Sequence, residues 1–257
     1  MRIKSLIIAA MTTAAAPAGA ATFDATYDAS ILNVVTLGKL VLKGQTGASA
    51  YSAAATVQTS GVAALFDETK ISAQSNGAIA GTAAQFSSYA LTHQYAKPGG
   101  KQKSRTVQMQ RAGAGVTVTA KPNWSFLGAP PTNAAQKAAS NDPLTALIAM
   151  SASVGATKTC QARLLAFDGR DHYALTLTPG GAGTYKGGGY DGKALICKLK
   201  YEPIAGGKPL SAADRAKIPV VEAWFGEPIS GFAPLLRLEA PTPVGAARLD
   251  VASLKVN

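Results

Sequence analysis

Few residues in this chain have the types and spacing that chemistry needs. From Gly187 the sequence reads Gly-Gly-Gly-Tyr-Asp-Gly-Lys-Ala, so Gly187, Gly192 and Lys193 match the G-x-x-x-x-G-K spacing of a phosphate-cradling loop. Such a loop needs a hydroxyl after its lysine to hold magnesium, and it opens a helix whose amides face the phosphates. Here Ala194 stands in the hydroxyl's place, and Ala194 to Leu199 alternates like a strand. The dinucleotide pattern G-x-G-x-x-G fails as well, because Gly181 and Gly183 are followed by Lys186 where glycine is required. The stretch reads as a flexible glycine-rich connection between two strands. The second cluster is Asp168, Asp171 and His172, the chain's only acid–histidine grouping. A hydrolase would add a nucleophile and an orienting third group nearby. None is present, so Asp168 reads as a turn former and Asp171 and His172 as solvated hairpin residues. G-x-S-x-G and H-E-x-x-H are absent. No catalytic residue, metal ligand set or cofactor is assigned.

The address of the protein is written more clearly. Arg2 and Lys4, the apolar run Leu6–Met11 and the small residues ending at Ala18-Gly19-Ala20 have the layout of a secretory signal peptide. The apolar run is far shorter than the ~20 residues that span a bilayer. Cleavage after residue 20 leaves residues 21–257 as one β-rich domain, and the expected location is the periplasm. The full chain of 257 residues carries 25 Lys and Arg against 14 Asp and Glu. Two of the basic residues leave with the signal, so the mature chain holds a net charge of +9. That balance suits anionic lipid or envelope partners. Aromatics make up 7% and do not interleave with the basic residues, which argues against a nucleic-acid stacking platform. The two cysteines, Cys160 and Cys197, form an even pair in an exported chain, and we expect a disulfide.

These residues must be held by strands. Alternating or β-rich runs fall near 23–29, 31–43, 48–59, 62–73, 77–81, 86–96, 103–111 and 115–121. They return near 160–167, 172–178, 194–202, 219–225, 234–240 and 246–256. Asp142 as cap, Pro143 in the first turn, and Leu144, Leu147 and Ile148 at helical spacing predict a helix over 143–152. A second, short helix is expected from Ser211. A two-residue Asp168-Gly169 turn would set Leu165 opposite His172 and Ala162 opposite Leu175. Cys160 would then share an apolar face with Ala162, Leu164, Tyr173, Leu175 and Leu177. If the 194–201 strand sat beside 172–178, the cysteines would be two strand spacings apart, about 9.5 Å. That exceeds the usual disulfide reach. Either the sheet curls strongly, or the 179–192 connection carries the later strand to another neighbour. The fold class is therefore mainly β, a strongly curved antiparallel sheet or half-barrel with one or two short helices.

Several stretches resemble one family. Asp142-Pro143-Leu144-Thr145-Ala146-Leu147, then Phe167-Asp168-Gly169-Arg170 with Tyr173, then Tyr185 through Cys197 to Tyr201-Glu202-Pro203-Ile204-Ala205-Gly206, occur in that order. With Trp224-Phe225, Pro234 to Leu238 and Gly245, they are similar to an uncharacterised family of proteobacterial periplasmic proteins, catalogued as a domain of unknown function. Leu236 departs from it, since a β-branched residue is more usual there. The resemblance implies a long-stranded, strongly curved antiparallel sheet, loosely like the envelope lipoprotein carriers, and brings no catalytic residues with it.

Two functions follow as expectations. In one, the sheet cups an acyl chain or other apolar envelope molecule under the helix, with Trp124, Phe126, Leu144, Leu147 and Ile148 as ligand contacts. In the other, the protein is an envelope-integrity scaffold or protein-interaction module without a ligand cavity. The projecting turn Lys97-Pro98-Gly99-Gly100-Lys101-Gln102-Lys103-Ser104-Arg105 adds a possible partner. Its Lys97, Lys101, Lys103 and Arg105 are expected to meet an anionic surface.

Overall fold

The computed structural model describes residues 21–256. The signal peptide read over residues 1–20 lies outside them. Strict alternation builds the strands. In β1 (Ala21–Ile31), Ala21, Phe23, Ala25 and Tyr27 turn inward, while Asp24 and Asp28 turn outward to pair with Lys43 and Lys39 at 2.9 and 3.6 Å. The same period runs through β2 (Val35–Thr46), β3 (Ala50–Thr59), β4 (Glu68–Ala80), β5 (Ala83–Ala96), β6 (Lys103–Ala112) and β7 (Gly115–Lys121), an antiparallel meander. A second meander comprises β8 (Ala162–Phe167), β9 (His172–Gly187), β10 (Tyr190–Ala205), β11 (Val221–Gly226), β12 (Leu235–Thr242) and β13 (Gly245–Val256).

The meanders join through the first and last strands, with Phe23 opposite Val256 and Ile31 opposite Ala247. The result is one sheet of 13 strands running from β7 through β1 and β13 to β8. Its edges β7 and β8 are consecutive in the chain but do not pair. The segment between them carries α1 (Ala134–Ala138) and α2 (Pro143–Thr157). That segment fastens the seam. Asn141 exchanges backbone hydrogen bonds with β8, donating to Leu165 O at 2.9 Å and accepting from Phe167 N at 2.7 Å. Its side-chain amide donates to Ala84 O on β5 at 2.7 Å. From β6 the Arg111 guanidinium donates to Ala138 O and Ser140 O at 2.8 and 2.6 Å.

Helix α2 begins as the sequence predicts. The Asp142 carboxylate accepts from Leu144 N and Thr145 N at 2.9 and 3.1 Å, and Pro143 fills the first turn. Lys158, in the left-handed region at φ 53°, ends it. The short helix α3 (Ala212–Ala216) starts from Ser211 as expected.

Three local expectations are corrected. The glycine-rich stretch is not a flexible connection. Strands β9 and β10 run through it and meet in a tight turn at Gly188-Gly189, whose φ angles of 60° and 87° only glycine adopts freely. Gly187 therefore closes one strand, and Lys193 lies in the next opposite Thr184, with no helix to cradle phosphate. The Asp168 hairpin has a four-residue loop, so Ala162 faces Leu177 and Phe167 faces His172. The slip of two residues arises because the Asp168 carboxylate accepts from Arg170 N and Asp171 N, building a wider turn, and it leaves every side chain on its expected face. Finally, Gly61–Leu65 forms a 3-10 turn rather than strand.

Strand β10 does stay beside β9, yet Cys160 and Cys197 are bonded with Cα atoms 5.4 Å apart. Cys160 precedes β8 instead of lying within it, so the chain leaves the sheet there and reaches across β9. The bond sits in a packed cluster with Met150, Val154, Leu177 and Phe225.

Candidate functional site

Because successive strands alternate in direction, the connections sort to two ends of the curved sheet. One end gathers the turns at 47–49, 81–82, 113–114, 188–189 and 227–234; the other gathers 32–34, 60–67, 97–102, 168–171, 206–220 and 243–244, together with the chain leaving β7. We call the first the floor and the second the rim.

Helix α2 lies across the floor, inside the curve. At its start Thr145 Oγ1 bonds Tyr51 OH at the beginning of β3; further along Ser151 O accepts from Ala233 N at 3.1 Å. Leu144 and Ile148 are buried in the main core beside Phe23, Tyr51 and Phe86, and Leu147 is half-buried against it. The helix is also buried on the faces carrying Ala146, Ala149, Met150 and Val154. It is therefore a core helix rather than the one-sided amphipathic helix that its leucines suggest. Alanine and glycine make the fit possible, since a Cβ on Gly155 would collide with the Gly231 carbonyl oxygen. Between Leu147, Ile148 and the wall of Phe23, Tyr27, Leu42 and Leu235 remains a void of about 20 Å³, room for roughly one water. Two open clefts of 240 and 130 Å³ flank the helix's far end at the surface.

A polar group is set into this apolar floor. Asp142 is fully buried, and its second oxygen accepts from Ser75 Oγ at 2.8 Å and from Thr145 Oγ1. Tyr51 OH lies 3.1 Å from Ser75 Oγ. Burial pushes the Asp142 carboxyl above its ordinary range, against the pull of these donors. Burial likewise pushes the Tyr51 hydroxyl up to about 12. The group ties the helix start to β3 and β4.

The acid–histidine cluster is not assembled as a relay. The Asp168 carboxylate is spent on its turn, Asp171 pairs with Arg170 at 2.7 Å, and His172 makes no side-chain hydrogen bond. His172 is buried rather than solvated, although it sits opposite Phe167 on the side of the sheet that also carries exposed Arg163; burial lowers its pKa.

Of the remaining sequence-predicted contacts, Trp124 is half-buried near the rim, with the guanidinium carbons of Arg105 and Arg170 at 4.0 and 5.0 Å from its ring centre. Phe126 is 43% exposed and outside the core. The structure thus brings Leu144, Leu147 and Ile148 together and leaves Phe126 apart from them. Lys97, Lys101 and Lys103 project into solvent, whereas Arg105 turns inward onto Trp124, because it shares the inward parity of Val107 and Met109.

What sequence reading missed is the rim itself. Twelve large apolar side chains are exposed among the described residues, and ten of them lie in rim connections. They include Val34 at 79%, Phe66 at 73%, Leu65 at 70% and Val244 at 66%. The signal was visible as Leu32-Asn33-Val34 and Leu65-Phe66, but these fall within runs that read as continuous strand. Between the two ends the convex face of the first meander is polar, with Lys43, Gln45, Gln74, Asn76, Gln108 and Gln110 exposed. That is the reverse of a membrane-spanning barrel, whose outer face is an apolar band. Among the described residues no helix is long and apolar enough to cross a membrane.

No family model matches the chain, and no curated protein does. Among solved structures it is similar to a β-barrel-like protein of domain of unknown function DUF1849 from Brucella abortus. The TM-score is 0.52 at 10% identity, over 92% of this chain and 98% of that one. At that identity the likeness is one of fold: a mainly β, barrel-like sheet left open at one seam.

Proposed function

We propose that the protein is a non-enzymatic scaffold of the cell envelope, exported to the periplasm, whose curved sheet is filled by its own helix instead of a ligand. One observation carries this reading: α2 occupies the concave floor and leaves a void of about 20 Å³ against it. A site for a drug-sized or acyl ligand needs about 300 Å³ or more. The bonded cysteine pair agrees with an oxidising compartment. The polar group around Asp142 is closed within the core, where its role is to fix the helix to the sheet.

The carrier reading keeps one observation of its own. On the concave wall nearer the rim, Val57 is 37% exposed between half-buried Leu40 and Ile71, a shallow apolar strip. Native mass spectrometry of protein purified from its own periplasm, with titration of a fluorescent fatty acid, separates the two readings. The scaffold predicts no stoichiometric lipid and no saturable binding. A lipid retained at one per chain, released by Val57→Asp with the fold intact, would establish the carrier. Leu147→Asp does not serve as that control, since Leu147 packs against the filled floor and its loss reads as folding.

A further inference from the structure

We propose that the rim docks the protein onto the surface of an anionic phospholipid bilayer. The inference concerns the partner of the scaffold and stands on the rim alone, whatever the floor contains. In sheet order the rim turns form a sequence. The β5–β6 turn brings Lys97, Lys101 and Lys103; next comes the β3–β4 turn with Val62, Leu65 and Phe66. The β1–β2 turn with Leu32 and Val34 follows, and beside it the β12–β13 turn with Val244. Beyond lies the β10–β11 connection with Lys208, Leu210 and Val220.

The central turns are in contact. Leu32 N donates to Ala246 O at 3.0 Å, the Leu32 side chain covers Gly245, and Ser60 N donates to Leu37 O at 3.0 Å. Apolar tips therefore occupy the middle of the rim and cations flank them. Lys97, Lys101, Lys103 and Lys208 have no ion-pair partner among the described residues. The β3–β4 turn itself carries one carboxylate, Asp67, and Glu68 opens β4.

This arrangement fits one kind of partner. Isolated apolar side chains on projecting turns enter the headgroup region, and lysines around them meet lipid phosphates. A second copy of the chain would set the same unpaired lysines against each other. The polar convex face of the first meander suits a protein that stands on the surface.

The test is flotation of the purified protein with vesicles of phosphatidylethanolamine and phosphatidylglycerol, against vesicles of pure phosphatidylcholine. Binding is expected only to the former. Leu65→Asp with Phe66→Asp should weaken it roughly tenfold or more at any salt concentration. Lys97→Glu with Lys101→Glu and Lys103→Glu should weaken it to a similar degree at low salt, and high salt should abolish that difference. Thermal melts of both variants, all at exposed positions, confirm that the fold is retained. Equal binding to both vesicle types, or unchanged binding by the Leu65/Phe66 variant, overturns the proposal. So does a self-association of the wild type that this variant abolishes, which would assign the patch to a second copy.

Discussion

The floor and the rim are built from the same strands and differ in almost everything else. At the floor a helix, a disulfide and a buried carboxylate are packed to a residual void of about 20 Å³. At the rim the turns carry exposed side chains, up to 79% for Val34, although they are as apolar as any in the core. Apolar surface left in water is unfavourable by ~25 cal/mol per Å². Its concentration at one end is the observation on which the proposed bilayer contact rests. One end holds the molecule together, and the other is available for contact.

Substitutions should separate the two ends cleanly. The largest effect is expected at the disulfide. Cys160→Ser or Cys197→Ser releases a 37-residue separation, and the chain-entropy estimate is a loss of about 4 kcal/mol. Chemical denaturation checks this, and thiol titration of the unreduced, denatured wild type should find no free thiols. Next comes Asp142→Ala, which removes the helix cap and strands the buried hydroxyls of Ser75 and Thr145, at about 3 kcal/mol. A smaller loss, about 2 kcal/mol, is expected for Gly155→Ala, because the added methyl must push α2 away from Gly231. At the rim, Phe66→Asp and Val34→Asp should change stability by under about 0.5 kcal/mol. A rim substitution that melts the protein as readily as a floor substitution would break the comparison.

The pH dependence sharpens it further. Burial raises the Asp142 pKa in the folded protein above its ordinary value near 3.8. Its protonated form is thus favoured by folding. The contribution is fully present below that ordinary value and is lost as pH rises through the raised one. Asp142→Asn cannot titrate. From pH 4 to pH 7 the wild type should lose stability relative to this variant, as measured by denaturation at both pH values. The opposite sign would mean that Ser75, Thr145 and the helix N-terminus outweigh desolvation.

Much of the floor was legible in the sequence, and little of the rim was. Period-two alternation located the strands, and Asp142-Pro143 located the helix start, because both are local signals. The cysteine pairing followed from export and count, while its geometry did not. Nothing local says that Cys160 leaves the sheet before β8. Helix α2 looked one-sided because the alanines and glycine that line much of its other faces carry no strong hydropathy, and only Met150 and Val154 mark that side. Glycines disguised the β9–β10 hairpin, since Gly181 and Gly183 weaken strand propensity without preventing pairing, and Gly180 takes up a bulge. The rim was hidden for the opposite reason. Leu32, Val34, Leu65 and Phe66 are residues that strands favour, and only tertiary placement reveals them in turns. The order of the sheet is equally non-local: pattern cannot tell that β1 pairs with β13.

That pairing governs how the chain acquires its shape. With Phe23 opposite Val256, the middle of the sheet is made from the two extremes of the sequence. A meander can zip from neighbour to neighbour as it emerges, but here the two meanders remain separate until the last strand arrives to dock between β1 and β12. Contacts of such long separation are slow to form, because chain entropy is lost before they are made. Until β13 arrives, β1 and β12 each keep an unpaired edge, and the chain is most open to capture or aggregation. Deleting residues 245–256 should therefore leave two half-sheets joined only through α2 and the seam around Asn141.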